Sequence, residues 1–94
     1  MKIYQNPWPE LLAAAYKQDV QKVKLLLESG HDIHTQDMDG YTALIAACYE
    51  SNVDIVKELL RLGADYRIKN FEGKTALLYS HEINNKELIN SLNR

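Results

Sequence analysis

The apolar and small residues of this chain recur with a period of 33 positions. Residues 4–36 and 37–69 align at that offset with eleven identical pairs, most of them apolar or small. The same register continues into residues 70–94, where Thr75 and Leu77 match Thr42 and Leu44. A fixed period of this length is typical of stacked copies of one supersecondary unit. The sequence therefore predicts three repeats within a single domain over residues 1–94.

Within each repeat the pattern predicts two short helices followed by a turn. Thr42 precedes the helix-forming run 43–48, and its hydroxyl can accept a hydrogen bond from the first helical turn. Gly30 and Gly63 follow the last apolar residues of the second helix, where a left-handed residue commonly ends a helix. The second helices are each predicted to begin after an N-cap residue: Asp19, Asn52 and Asn85.

The second repeat carries the clearest motifs. Residues 37–47 read Asp-Met-Asp-Gly-Tyr-Thr-Ala-Leu-Ile-Ala-Ala, which is similar to the D-x-x-G-x-T-P-L-H-x-A opening of an ankyrin repeat. Residues 54–65 end in Gly-Ala-Asp, which is similar to the close of the same repeat. The chain thus resembles an ankyrin-repeat protein over nearly its whole length. This resemblance implies an all-α solenoid of three stacked helix-turn-helix units joined by hairpin-like loops, with repeats at about residues 4–36, 37–69 and 70–94.

Two departures from the family pattern lead to further expectations. Ala43 and Ile45 stand where the family has Pro and His after the threonine. The Thr-to-His hydrogen bonds of the family are then missing, and we expect apolar packing to hold the repeats together. The glycine that the family places between the two helices is also replaced, which predicts strained or altered turns at Gln18, Ser51 and Asn84.

Charge and composition exclude several classes of function. The formal net charge is −2, and charges of both signs are scattered, which disfavours nucleic acid as a partner. No apolar run approaches the roughly 18 residues that span a bilayer, so no membrane partner is expected. Cys48 is the single cysteine, which fits a reducing compartment and predicts a cytoplasmic protein.

No pattern of catalytic or metal-binding residues stands out. His31 and His34 lack a third ligand at a recognisable spacing, and Cys48 in its Ala-rich helix is expected to be a core residue. Residues 80–82, Ser-His-Glu, are adjacent, whereas catalytic triads assemble from distant segments. We therefore expect a protein that is not an enzyme and that carries no cofactor or metal.

The resemblance implies a partner-binding surface on the hairpin tips and on the concave face of the first helices. Five of the eight aromatic residues of the chain fall on this surface, and aromatic side chains are enriched at interface hot spots. The predicted partner-binding residues are Trp8, Tyr16, Met38, Asp39, Tyr41, Tyr49, Glu50, Phe71, Glu72, Lys74, Glu82 and Ile83.

Exposure decides which of these aromatic residues can bind. Tyr41, Tyr49 and Phe71 are predicted to be exposed, because turn tips and outer helix ends rarely bury large rings. Trp8 and Tyr16 either cover the end of the first repeat or face a partner. Each alternative assigns a different role to the first repeat.

Acidic side chains outnumber basic ones on the same surface, which predicts a protein partner with a basic, partly apolar patch. The expected function is a non-catalytic protein–protein interaction module that acts as a monomer, for example an inhibitor or immunity-type protein. The alternative is a self-associating structural or scaffold protein, a homodimer that pairs through the same aromatic face.

Overall fold

The structure, a computed structural model, describes residues 9–93 of the chain. Each repeat contains two short helices, and the chain reverses direction after each of them. Within the described residues there are six helices and no strand: α1 (Glu10–Tyr16), α2 (Val20–Glu28), α3 (Ala43–Tyr49), α4 (Val53–Arg61), α5 (Ala76–Glu82) and α6 (Lys86–Leu92). The prediction of an all-α repeat fold is confirmed.

The six helices form two layers. Each odd-numbered helix packs on the even-numbered helix that follows it, and α1, α3 and α5 lie side by side as the first-helix layer. The helices α2, α4 and α6 form the second layer behind them. The core lies between the layers and between successive repeats, and its largest fully buried apolar side chains include Leu12, Val23, Ile45, Val56, Leu59 and Leu88. Among residues 9–93, no helix has the length and apolar character needed to cross a membrane.

Most of the predicted helix N-caps are present. The Oγ1 atoms of Thr42 and Thr75 each accept a hydrogen bond of 3.2 Å from the backbone N–H three residues on. The side chains of Asp19 and Asn85 accept equivalent bonds of 3.1 Å. Each bond satisfies one of the N–H groups that a helix start otherwise leaves open.

Asn52 is the N-cap residue of α4, as predicted, but its side chain does not cap the helix. Its side chain is buried, and Nδ2 donates a hydrogen bond of 3.1 Å to the carbonyl oxygen of Ala15 in the preceding repeat. The helix α4 begins at the next residue, Val53, without a side-chain cap. A polar side chain buried between two repeats needs a partner, and the carbonyl of Ala15 near the end of α1, which also accepts from the N–H of Gln18, provides it.

The expectation that apolar packing holds the stack is also incomplete, because side-chain hydrogen bonds cross the repeat boundaries. Besides the Asn52 bond, the backbone N–H of Asp65 donates to Nε2 of His34 at 3.0 Å. Nε2 of Gln36 donates to the carbonyl oxygen of Lys69 at 3.2 Å. Polar groups from helix ends and loops therefore connect the units that the missing Thr–His pairs would have joined.

The helices α2 and α4 end just before Gly30 and Gly63, as the sequence predicts. Gly30 and Gly63 have φ values of +101° and +97°. The N–H of Gly30 donates to the carbonyl of Leu27, and that of His31 donates to the carbonyl of Leu26, both at 3.1 Å. This pair of bonds is the Schellman arrangement that closes a helix at a left-handed residue.

The turns between the two helices of each repeat adopt the same left-handed conformation without glycine. Gln18, Ser51 and Asn84 have φ values of +62°, +60° and +54°, which confirms the strained turns that the sequence predicts. Side chains with a Cβ lose roughly 1–2 kcal/mol in this region, although asparagine tolerates it better than most.

We expect Ser51→Gly to raise the free energy of unfolding by about 0.5–1 kcal/mol. Glycine removes the left-handed strain but adds freedom to the unfolded chain, and the first effect is the larger. Urea unfolding followed by circular dichroism measures the difference. Asn84→Gly is the matched control and should gain less, so an equal gain, or a loss at Ser51, would contradict the strain argument.

Candidate functional site

The loop before α3 is a tight hairpin held by one carboxylate. Oδ1 of Asp37 accepts hydrogen bonds of 2.9 Å from the backbone N–H groups of Asp39 and Tyr41. The backbone of Asp37 also bonds to the carbonyl of Tyr41, and Gly40 donates to the carbonyl of Asp37, both at 3.0 Å. At the tip of this hairpin, the side chain of Met38 is 78% exposed.

The loop before α5 repeats this geometry with an amide. Oδ1 of Asn70 accepts from the N–H groups of Glu72 and Lys74, at 2.9 and 3.0 Å. Phe71 takes the tip position and is 70% exposed. Its backbone N–H donates to the carbonyl of Asp39 at 3.0 Å, which joins the two hairpins edge to edge. The two exposed tip side chains are thus presented by connected, hydrogen-bonded loops.

Behind the hairpins lies a tyrosine cluster, formed by Tyr41, Tyr49 and Tyr79. Tyr79 is its buried centre, only 4% exposed, with its ring centroid 6.0 Å from that of Tyr41 and 5.5 Å from that of Tyr49. The ring planes of Tyr49 and Tyr79 are nearly perpendicular, at 89°. Edge-to-face packing of this kind is favourable for aromatic rings.

The predicted exposure of Tyr41 is wrong. Its side chain is partly buried against the core, and its hydroxyl shares a hydrogen bond of 2.9 Å with that of Tyr79. The Tyr79 hydroxyl and then burial raise the pKa of Tyr41 well above its ordinary value, and the charge of Glu72 adds to this. Tyr41 therefore remains neutral and supports the cluster, whereas Tyr49, 55% exposed, faces solvent as predicted.

Sequence reasoning missed Tyr79 and Asn70. Nδ2 of Asn70 donates to the Tyr79 hydroxyl at 3.0 Å, so the second hairpin and α5 are tied together at the cluster. A signal was present in the repeat alignment, because Tyr79 occupies the position of Ala13 and Ala46 in the other repeats. A large ring at a position for small residues indicates a local packing feature peculiar to the third repeat.

The other predicted residues lie near the ends of the first helices or on the hairpins. Tyr16, 47% exposed, Tyr49 and Glu82 are the last residues of α1, α3 and α5. Glu50 and Ile83 follow α3 and α5 directly, and both are exposed. Trp8 lies outside the described residues.

The charges of this surface are unevenly paired. Nζ of Lys74 lies 3.5 Å from Oε2 of Glu82. Asp39, Glu50 and Glu72 are exposed, and none of them forms an ion pair within residues 9–93. The surface therefore carries unbalanced negative charge beside its apolar side chains.

The cysteine and the two histidines considered as candidate chemical groups make contacts within the fold. Cys48 is fully buried, and burial raises the pKa of its thiol to about 11, partly offset by a hydrogen bond with Ser80. His34 accepts the hydrogen bond from Asp65, and the ring of His31 contacts the carbonyl oxygen of Leu26 at 3.0 Å. Within the described part of the chain, no three His, Cys, Asp or Glu side chains are grouped to hold a metal ion.

Paired helices stacked at a fixed period, with hairpins projecting from one edge, define a helical repeat protein. The family model described as ankyrin repeats, in three copies, matches residues 11–93. The chain belongs to the ankyrin repeat family. Ankyrin repeats are generally protein–protein interaction modules and are typically non-catalytic.

Among solved structures, the chain is similar to the crystal structure of EF0377, an ankyrin repeat protein. The two are 41% identical in sequence, with a TM-score of 0.85. The match covers 89% of this chain and 45% of that chain, so this sequence spans less than half of the longer protein. No curated protein matches the sequence.

Proposed function

We propose that this chain binds a protein partner through its interaction face, which consists of the two hairpin tips and the exposed ends of the first helices. The observation that carries the proposal is the exposure of large apolar side chains on this one face. Met38, Phe71, Tyr49 and Tyr16 are 78%, 70%, 55% and 47% exposed. The full face comprises Tyr16, Met38, Asp39, Tyr49, Glu50, Phe71, Glu72, Lys74, Glu82 and Ile83, with Tyr41 supporting it from beneath.

The backbone of this face supports binding because it is held in place before a partner arrives. Backbone N–H groups that donate to the Oδ1 atoms of Asp37 and Asn70 hold the two hairpins, and the Phe71–Asp39 bond links them. A surface that is ordered in advance loses less conformational entropy on association. The exposed aromatic rings then add large contact area at a small cost in side-chain freedom.

The charge of the face supports a basic partner. Glu50 and Glu72 border the apolar side chains and, among residues 9–93, form no ion pair. Complementary charge accelerates encounter and selects orientation, while the buried apolar contacts supply most of the affinity. The proposed partner therefore presents a basic, partly apolar patch.

Affinity capture from native cell extract tests this function. The test variant carries Met38→Ser, Tyr49→Ser and Phe71→Ser, and Tyr41 is kept because it supports Tyr79. The matched control is Leu25→Ser on α2, since Leu25 is 62% exposed but lies in the other helix layer. We expect a protein to be retained by the wild type and the control, and its recovery to fall at least tenfold with the triple variant.

Two results would contradict the proposal. Equal capture by the wild type and the triple variant would mean that another surface binds. Recovery of the chain's own copies alone would favour the self-associating scaffold instead. Circular dichroism of each variant distinguishes a loss of folding from a loss of contacts with the partner.

The cellular role follows from what the partner does. We propose that binding covers the working surface of the partner and so inhibits it, in the manner of an immunity-type protein. The activity of the captured partner with and without this chain measures that effect. We also propose that the protein acts in the cytoplasm, because its single cysteine is a buried, free thiol.

A further inference from the structure

Lys74 occupies a cation site at the edge of the tyrosine cluster. Its Nζ lies 5.3 Å from the centroid of the Tyr79 ring and 3.5 Å from Oε2 of Glu82. A cation within about 6 Å of a ring centroid is attracted by the negative face of the ring. The ring and the carboxylate together therefore already hold a positive charge at this position.

The same position is open to solvent on one side. Tyr49 stands 5.5 Å from Tyr79, centroid to centroid, and is 55% exposed. The side chains of Lys74 and Glu82 are 35% and 44% exposed. A group from outside can therefore reach the ring of Tyr49 and the carboxylate of Glu82 without rearranging the helices.

The local charge favours a second cation. Lys74 balances one carboxylate, that of Glu82, while Glu50 and Glu72 remain without an ion pair among residues 9–93. The charge of Glu72 acts on the cluster, since it contributes to the raised pKa of Tyr41. A cation brought by a partner would meet both aromatic surface and uncompensated negative charge.

We propose that Tyr49, Tyr79 and Glu82 form a subsite for an arginine side chain of the protein partner, and that Lys74 fills it in the unbound protein. The inference rests on the proposed function and specifies its chemistry. Arginine suits the subsite better than lysine, because its planar guanidinium stacks on aromatic rings and pairs with a carboxylate through two N–H groups. The guanidinium is also less strongly hydrated than the lysine ammonium, so its desolvation on docking costs less free energy.

Lys74 is then an internal competitor for the subsite. Lys74 is held there only by a partly exposed ion pair and a cation–π contact, both of which are weak. An arginine that displaces Lys74 therefore binds only modestly more weakly than it would to an empty subsite. Removing the ammonium with Lys74→Met should strengthen arginine binding about fivefold. Removing the carboxylate with Glu82→Gln in the Lys74→Met background should weaken it by a similar factor.

A weak-binding titration tests this without knowledge of the partner. The probe is N-acetyl-arginine N-methylamide, and N-acetyl-norleucine N-methylamide is its neutral counterpart at the same ionic strength. The tyrosine ring signals in proton–carbon NMR spectra report the site. We expect the arginine probe to shift Tyr49 and Tyr79 most, with a dissociation constant about fivefold lower for Lys74→Met than for the wild type.

Matched variants separate the subsite from the rest of the surface. In the Lys74→Met background, Glu82→Gln and Tyr49→Leu should each weaken the arginine response several-fold. Tyr66→Leu should leave it unchanged, because Tyr66 is exposed but lies outside the cluster. Glu82→Gln keeps every ring in place, so its effect does not depend on how the cluster repacks.

The proposal is overturned if the arginine and norleucine probes shift the same signals equally. It is also overturned if Lys74→Met leaves the arginine affinity unchanged. Either result leaves the proposed function intact, because capture through Met38, Tyr49 and Phe71 is measured separately. Conversely, a failed capture experiment combined with a positive titration would reject the partner surface but retain the cation subsite.

Discussion

Replacing Gly40 with alanine is expected to lower the free energy of unfolding by about 3 kcal/mol. Gly40 has a φ of +86°, a conformation that costs a residue with a Cβ roughly 1–2 kcal/mol. A Cβ at this position would also lie 2.6 Å from both the backbone N and the Cδ1 of Phe71. Because the Phe71 N–H is bonded to Asp39, the neighbouring hairpin has to shift, and overpacking of this kind typically costs a further 1–3 kcal/mol.

Gly73 provides the matched control for this prediction. It holds the same position in the third repeat, with a φ of +80°, but nothing lies within 4 Å of where its Cβ would be. Gly73→Ala should therefore cost only about 1 kcal/mol, the conformational part of the effect. Urea unfolding of both variants measures the difference. Equal losses would show that the close contact between the hairpins contributes nothing.

The same variant has a functional consequence. The contact between Gly40 and Phe71 sets how the two hairpins lie against each other, and the tips carry the most exposed apolar side chains of the interaction face. Gly40→Ala should therefore weaken partner capture even at temperatures where the chain stays folded. Gly73→Ala should not, which separates hairpin placement from overall stability.

Local signals in the sequence were sufficient to predict the helices and turns of the fold. The period of 33 placed three helix pairs, and the hydroxyl of Thr42 caps the helix that it was expected to cap, as does that of its repeat equivalent Thr75. The left-handed turns at Gln18 and Ser51 were also predictable. These features depend on a few consecutive residues, so the repeat alignment identifies them directly.

The contacts between repeats could not be predicted in the same way. Asn52 looks like an N-cap in sequence, yet its amide bonds to the carbonyl of Ala15, 37 residues earlier. Tyr41 sits beside an exposed hairpin tip, yet its hydroxyl meets that of Tyr79, 38 residues later. In both cases a long-range partner decides the role of the side chain, and a single sequence contains no record of that pairing.

Asn70 is where the fold and the interaction face are most directly connected. Its Oδ1 accepts two backbone N–H groups of the hairpin, and its Nδ2 donates to the hydroxyl of Tyr79. The side chain is 4% exposed, so water cannot replace these three bonds easily. Asn70 thus fixes the hairpin that carries Phe71 and the ring against which Lys74 packs.

We expect Asn70→Ala to cost about 3 kcal/mol in the free energy of unfolding, about 1 kcal/mol for each lost hydrogen bond. Asp37→Ala is the matched control, because Asp37 holds the equivalent place and accepts two such backbone bonds but makes none to a tyrosine hydroxyl. It should cost about 1 kcal/mol less and alter the near-ultraviolet dichroism of the tyrosine cluster less than Asn70→Ala does. Asn70→Ala should alter that signal in the folded protein. If the two variants matched in both stability and spectrum, the bond to Tyr79 would have no energetic role, and the cluster would be held by ring packing alone.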